Sequence, residues 1–96
     1  MKKKYYVENE KGEMVLVRTS EHDYKFALVD IEDINEGKKG IYACSGNYNN
    51  IEKQYNYYKK IYYSNMEYAK KNNNEENYKN NESSYNNLKI VELVVR

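Results

Sequence analysis

From Ile51 to Arg96 the chain contains neither glycine nor proline, the two residues that most readily interrupt a helix. The first half of that stretch carries a clear helical period. Placed at 100° intervals, Ile51, Tyr55, Tyr58, Tyr62, Met66 and Ala69 fall in one stripe about 80° wide. Lys53, Lys60, Glu67 and Lys71 lie opposite. The pattern predicts a long amphipathic helix with its tyrosine stripe against other structure. The preceding Ser45-Gly46-Asn47-Tyr48-Asn49-Asn50 is turn chemistry. Asn49 is a candidate cap, with Glu52 in the place of a capping-box acid.

The residues before it read as strands. Tyr5 and Val7 alternate with Tyr6 and Glu8, and Glu10-Lys11-Gly12-Glu13 supplies a turn. Met14, Leu16 and Arg18 alternate with Val15, Val17 and Thr19, β-branched residues that favour a strand paired back on the first. Residues 24–31 predict a third strand. Its two faces are Tyr24, Phe26 and Leu28 against Lys25, Ala27, Val29 and Ile31. Residues 35–40 form a loop and residues 41–44 a short fourth strand. After the helix, residues 72–87 are low in complexity and offer little apolar surface against ordering entropy, so they read as a mobile loop. Asparagine also prefers caps and turns to helix interiors. Residues 88–95 are the most apolar segment and read as a strand inside the sheet. The expected fold is α+β, in the order β-β-β-β-α-β: a five-stranded, mainly antiparallel sheet with the long helix over one face. Residues 1–96 make one domain.

Composition narrows the function classes. The formal net charge is +1, and charges of both signs are mixed throughout. A strongly basic balance, the mark of nucleic-acid or anionic-membrane binders, is absent. Arginine occurs only as Arg18 and Arg96, so bidentate base readout is poorly supplied. Asparagine, lysine and tyrosine are over-used, as in proteins from AT-rich genomes. No apolar run approaches the ~18–20 residues of a membrane span. Met1-Lys2-Lys3-Lys4 resembles the start of a signal peptide, but no apolar region follows. Cys44 is the single cysteine. These features together point to a reducing, cytoplasmic setting as the expected location.

Candidate chemistry is sparse. Cys44 sits before the helix, where a thiol can become nucleophilic, and His22 is the one available imidazole base. A small, half-buried strand residue is the simpler reading of Cys44. The acidic run from Asp30 to Gly37 lacks calcium-loop ligand spacing, because Cys44 or Ile34 falls where oxygen is required. One cysteine and one histidine do not supply the usual zinc ligand set. Gly37-Lys38-Lys39-Gly40 lacks the rest of a phosphate loop. No catalytic residue, metal ligand or cofactor is expected.

The outer helix is more informative. Lys53, Tyr57, Lys60, Ser64, Tyr68 and Lys71 share one side away from the core stripe, while Tyr63 stands alone on the other flank. Genome bias with a solvated face is the plain explanation. A contact surface is the functional one. Tyrosine gives large contact area at small rotamer cost, and it stacks on unpaired bases while lysines follow phosphates. Lys2, Lys3 and Lys4 beside Tyr5 and Tyr6 form a weaker second patch.

The pattern "EHDYKFALVDIED…GIYACSGNYNNIEKQYNYY" resembles the small accessory proteins of AT-rich phages and mobile elements, among them anti-CRISPR and other anti-defence proteins. The resemblance implies inhibition by stoichiometric binding to a host protein or ribonucleoprotein complex, in the host cytoplasm. The alternative is a single-stranded nucleic-acid binder using tyrosine and lysine. Both leave room for a homodimer, and neither involves a membrane.

Overall fold

The computed structural model describes residues 1–96. Strand β1 (Lys3–Glu8) pairs antiparallel with β2 (Met14–Ser20). Between them Gly12 turns the chain at φ +77°, which a side-chain-bearing residue rarely adopts. The Asn9 side chain fills the turn. Its oxygen accepts from the amides of Lys11 and Glu13, and its nitrogen donates to the Ile34 carbonyl at 3.2 Å. Asn9 is therefore buried with its polar atoms satisfied.

Strand β3 (Phe26–Asp30) runs into a short helix α1 (Ile31–Asn35), then β4 (Ile41–Ser45). Ile31 was expected to finish the strand. Instead the Asp30 carboxylate accepts from the amides of Glu32 and Asp33 and starts a helix there. Helix α2 (Tyr48–Lys71) follows, then α3 (Glu75–Asn87), β5 (Leu88–Glu92) and β6 (Val94–Val95).

The strands form two three-stranded antiparallel sheets, ordered β2-β1-β6 and β4-β3-β5, not the single five-stranded sheet expected. The C-terminal strand is the cause. It pairs with β3 as β5, passes through Leu93, and pairs with β1 as β6. The Leu93 amide donates to the Lys25 carbonyl at 2.8 Å, and the Arg96 amide to the Lys4 carbonyl at 3.0 Å. One segment thus stitches two sheets at a corner.

Strand β3 is buried on both faces. Ala27 and Val29 face Tyr5, Val7, Val15 and Val17 of the other sheet, and Ile34 of α1 closes that core. Leu28 faces the opposite way and meets Ile51 of α2 and Leu88 of β5, with Phe26, Tyr42, Tyr55, Tyr58 and Ile90 around them. The order of layers is sheet, sheet, helix. Each fully buried aliphatic side chain stabilises by about 1.5–3 kcal/mol.

Helix α2 begins two residues earlier than expected. The Asn47 side chain, not Asn49, is the cap, accepting from the Asn49 amide at 2.8 Å. A helix of this length spans about 36 Å, whereas a five-residue strand covers only about 17 Å. The second half of α2 therefore overhangs the sheet, and the molecule is elongated, 50 × 28 × 17 Å.

Helix α3 covers that overhang. Residues 75–87 fold as a helix, which corrects the expectation of a loop over residues 72–87. Asn73 makes the reversal at φ 54°, a left-handed conformation that asparagine tolerates. Asn74 caps α3 by accepting from the Asn77 amide, with Glu75 and Glu76 in the first turn, where the helix dipole favours acids. No residue of α3 is buried. Polar and aromatic contacts hold it instead. The Lys59 ammonium lies 3.9 Å from the Tyr85 ring centre and 5.2 Å from that of Tyr55, and it donates to the Tyr85 carbonyl. Asn65 donates to Asn81 at 3.2 Å.

Candidate binding surface

Helix α2 sorts its tyrosines by direction. Tyr55, Tyr58 and Tyr62 are half-buried on the side of the sheet, as the periodicity predicted. Tyr58 lies 5.0 Å from Tyr42 of β4, and the Tyr42 and Tyr62 hydroxyls are 3.0 Å apart. Burial, aided by that hydrogen bond, pushes the Tyr42 phenol well above its ordinary pKa. The stripe thus buries its rings while pairing hydroxyls at the layer's margin.

Lys53, Tyr57, Lys60, Ser64, Tyr68 and Lys71 are all exposed. Tyr57 is 60% exposed and Tyr68 71%. They stand eleven positions apart in sequence, about 16 Å along the helix axis. Tyr57 meets Tyr58 edge to face at 5.5 Å, so its ring is braced against the core tyrosines. Lys53, Lys60 and Lys71 form no ion pair; the pairs in the molecule are Lys3–Asp23 and Lys38–Glu36. The ridge therefore presents aromatic surface and three lysines free of ion pairs along one line, with Glu67 on the same side of the helix.

One other expectation changes, and the simpler reading of Cys44 as a half-buried strand residue holds. The N-terminal patch disperses. The Tyr5 ring is in the sheet–sheet core, with its hydroxyl donating to the His22 carbonyl and accepting from the Tyr24 amide, while Lys3 pairs with Asp23. Cys44 is half-buried on β4 against the sheet–sheet core. Burial raises its thiol pKa, with Arg18 and Lys39 opposing the shift. That favours the neutral thiol over a nucleophilic thiolate.

The sequence reading missed Tyr48. It is 47% exposed at the first position of α2 and meets Phe26 edge-on at 5.4 Å. Its signal was present, because position 48 extends the Ile51–Tyr55 side of the helix by one turn. Starting the helix at the later cap hid it.

No helix is long and apolar enough to cross a membrane. Comparison with protein-family models, curated proteins and solved structures found no match.

Proposed function

We propose that this is a non-enzymatic binding protein that docks on an acidic macromolecular partner through the outer face of α2. The observation that carries the reading is the pair Tyr57 and Tyr68, exposed in line with three unpaired lysines. Leaving large aromatic area in water forgoes roughly 25 cal/mol per Å² of burial. Genome bias explains how many tyrosines there are, but not why these two share the lysine side. Buried at an interface, such tyrosines become binding hot spots, and lysines steer an acidic partner into place. The small size, the single ridge and the resemblance to phage accessory proteins favour a stoichiometric inhibitor of a host defence component.

A protein partner is favoured over single-stranded nucleic acid because Tyr57 is braced on Tyr58 and the ridge has no arginine. The test is affinity capture from a susceptible bacterial host, with and without nuclease treatment. A protein retained after nuclease, and lost by the Tyr57→Ala/Tyr68→Ala double variant, supports the reading. Capture that disappears with nuclease, and falls steeply with salt, assigns the ridge to nucleic acid. Equal capture by wild type and the double variant removes the ridge from consideration.

A further inference from the structure

Of the three helices only α3 buries no residue, and asparagine occupies five of its 13 positions. No ion pair joins it to the rest of the molecule. Its polar ties are Lys59 to Tyr85, Asn65 to Asn81 at 3.2 Å, and Asn87 to Glu32 at 2.7 Å. A helix this short and this poor in strong helix formers is marginal alone in water. Detached from α2 it melts, so undocking and unfolding of α3 are one event. Both of its ends stay fixed. Leu88, the next residue, is sealed with Leu28 and Ile51, and the Asn74 amide donates to the Ala69 carbonyl at 2.9 Å. An opened α3 is therefore a tethered loop, which recloses at little entropic cost.

Beneath α3 lies the far end of the apolar stripe of α2. Tyr62 still reaches the sheet, where its hydroxyl meets that of Tyr42. Ala69 lies about 10 Å further along the axis, past the sheet, yet it is only 3% exposed. It lines a cleft with Tyr78 and Lys79 of α3. Helix α3, not the sheet, is what hides it.

Lys59 holds α3 in two ways. The Tyr85 carbonyl belongs to the last turn of α3, whose carbonyls have no partner inside the helix. That turn has no basic residue of its own, so Lys59 of α2 supplies the cation that the helix dipole favours there. The same ammonium lies 3.9 Å from the Tyr85 ring centre.

We propose that α3 is a strap over the far end of α2, that it opens as a unit while both sheets stay folded, and that Lys59 is its latch. Opening uncovers the end of the apolar stripe at Ala69. The lysine–tyrosine ridge lies on another side of α2, so the strap works independently of it.

The test places a thiol under the strap, with Ala69→Cys in a Cys44→Ala background. Labelling by a soluble thiol reagent measures opening, and denaturant unfolding of the same variant measures the whole fold. We expect an opening constant about a hundredfold or more above the global unfolding constant. Lys59→Met keeps the aliphatic stem and removes the charge, and it should raise labelling about tenfold. Lys59→Arg keeps a cation and a donor, and it should stay within about twofold of the parent. Wild-type amide exchange, free of any effect of the new thiol, should be faster over residues 75–87 than over Phe26–Asp30. Labelling no faster than global unfolding, or wild-type exchange as slow in α3 as in β3, overturns the strap. Equal labelling in Lys59→Met and Lys59→Arg overturns the latch.

Discussion

The two apolar layers of this molecule are built from different residues. Between the sheets, Val7, Val15, Val17, Ala27, Val29 and Ile34 are sealed with the Tyr5 ring. Under α2, only Leu28, Ile51 and Leu88 are sealed, and a collar of half-buried tyrosines completes the contact. The first layer seals seven residues, mostly aliphatic, against three in the second. The second has a wet rim, and its tyrosines join the core to the surface. Tyr42, Tyr58 and Tyr57 make one aromatic chain from sheet to solvent. A helix seated this way can carry an interface without placing interface residues in the main core.

The largest test of that contrast is Tyr5→Ala. It empties a sealed ring position and removes a hydroxyl that joins two backbone groups. The expected loss is about 3–5 kcal/mol, measured by denaturant unfolding. Tyr58→Ala, at the wet rim, should cost less, about 1–3 kcal/mol, because its ring keeps contact with water. A loss equal to that of Tyr5→Ala would mean the two layers are not different in kind. Tyr85→Ala removes one wall around Lys59 and should cost about 0.5–1 kcal/mol. Its signature is local: faster amide exchange in residues 75–87, with the sheets unaffected.

Alkaline pH gives a gentler probe. The folded state raises the Tyr42 pKa above the ordinary value of 10.0, so this contribution is complete below that pH and is lost as pH rises through the folded value. The denaturation midpoint should therefore start to fall above about pH 10, and Tyr42→Phe should flatten the decline. The smallest stability effect belongs to Tyr57→Ala, within about 0.5 kcal/mol of wild type. A larger loss would show that the exposed ring braces Tyr58, and that the ridge is part of the helix's seating.

Much of this was legible. The 3.6-residue period placed Ile51, Tyr55, Tyr58 and Tyr62 toward the sheet and left Tyr57 and Tyr68 outside it. Alternation found β1 to β4 closely. Two features were not read. Ala27 and Val29 make the second face of β3 as apolar as its first, which is the mark of a strand covered on both sides. Helix periodicity drew attention to one cover and away from the other. Helix α3 was hidden for a different reason. Asparagine weakens its intrinsic propensity, and its stability comes from contacts of Tyr85 and Asn81 with Lys59 and Asn65 of the preceding helix, 26 and 16 positions back, which the local sequence does not display. The exposure of the ridge followed from angular position alone. The place of β5 at a sheet edge depends instead on which strands border one another.

The segment that stitches the two sheets has a consequence for how the chain is made. A ribosome delivers residues 88–95 after every strand they must join. Until then the nascent chain has its local pieces, the β1–β2 hairpin, the β3–β4 hairpin and the helix pair. The partners of β6 lie at the opposite end of the described chain, with Tyr5 beside Val95. Such distant pairing slows folding, because loop entropy is lost before the contacts repay it. Both sheets acquire their third strand in the same late event, as one clasp closes two halves.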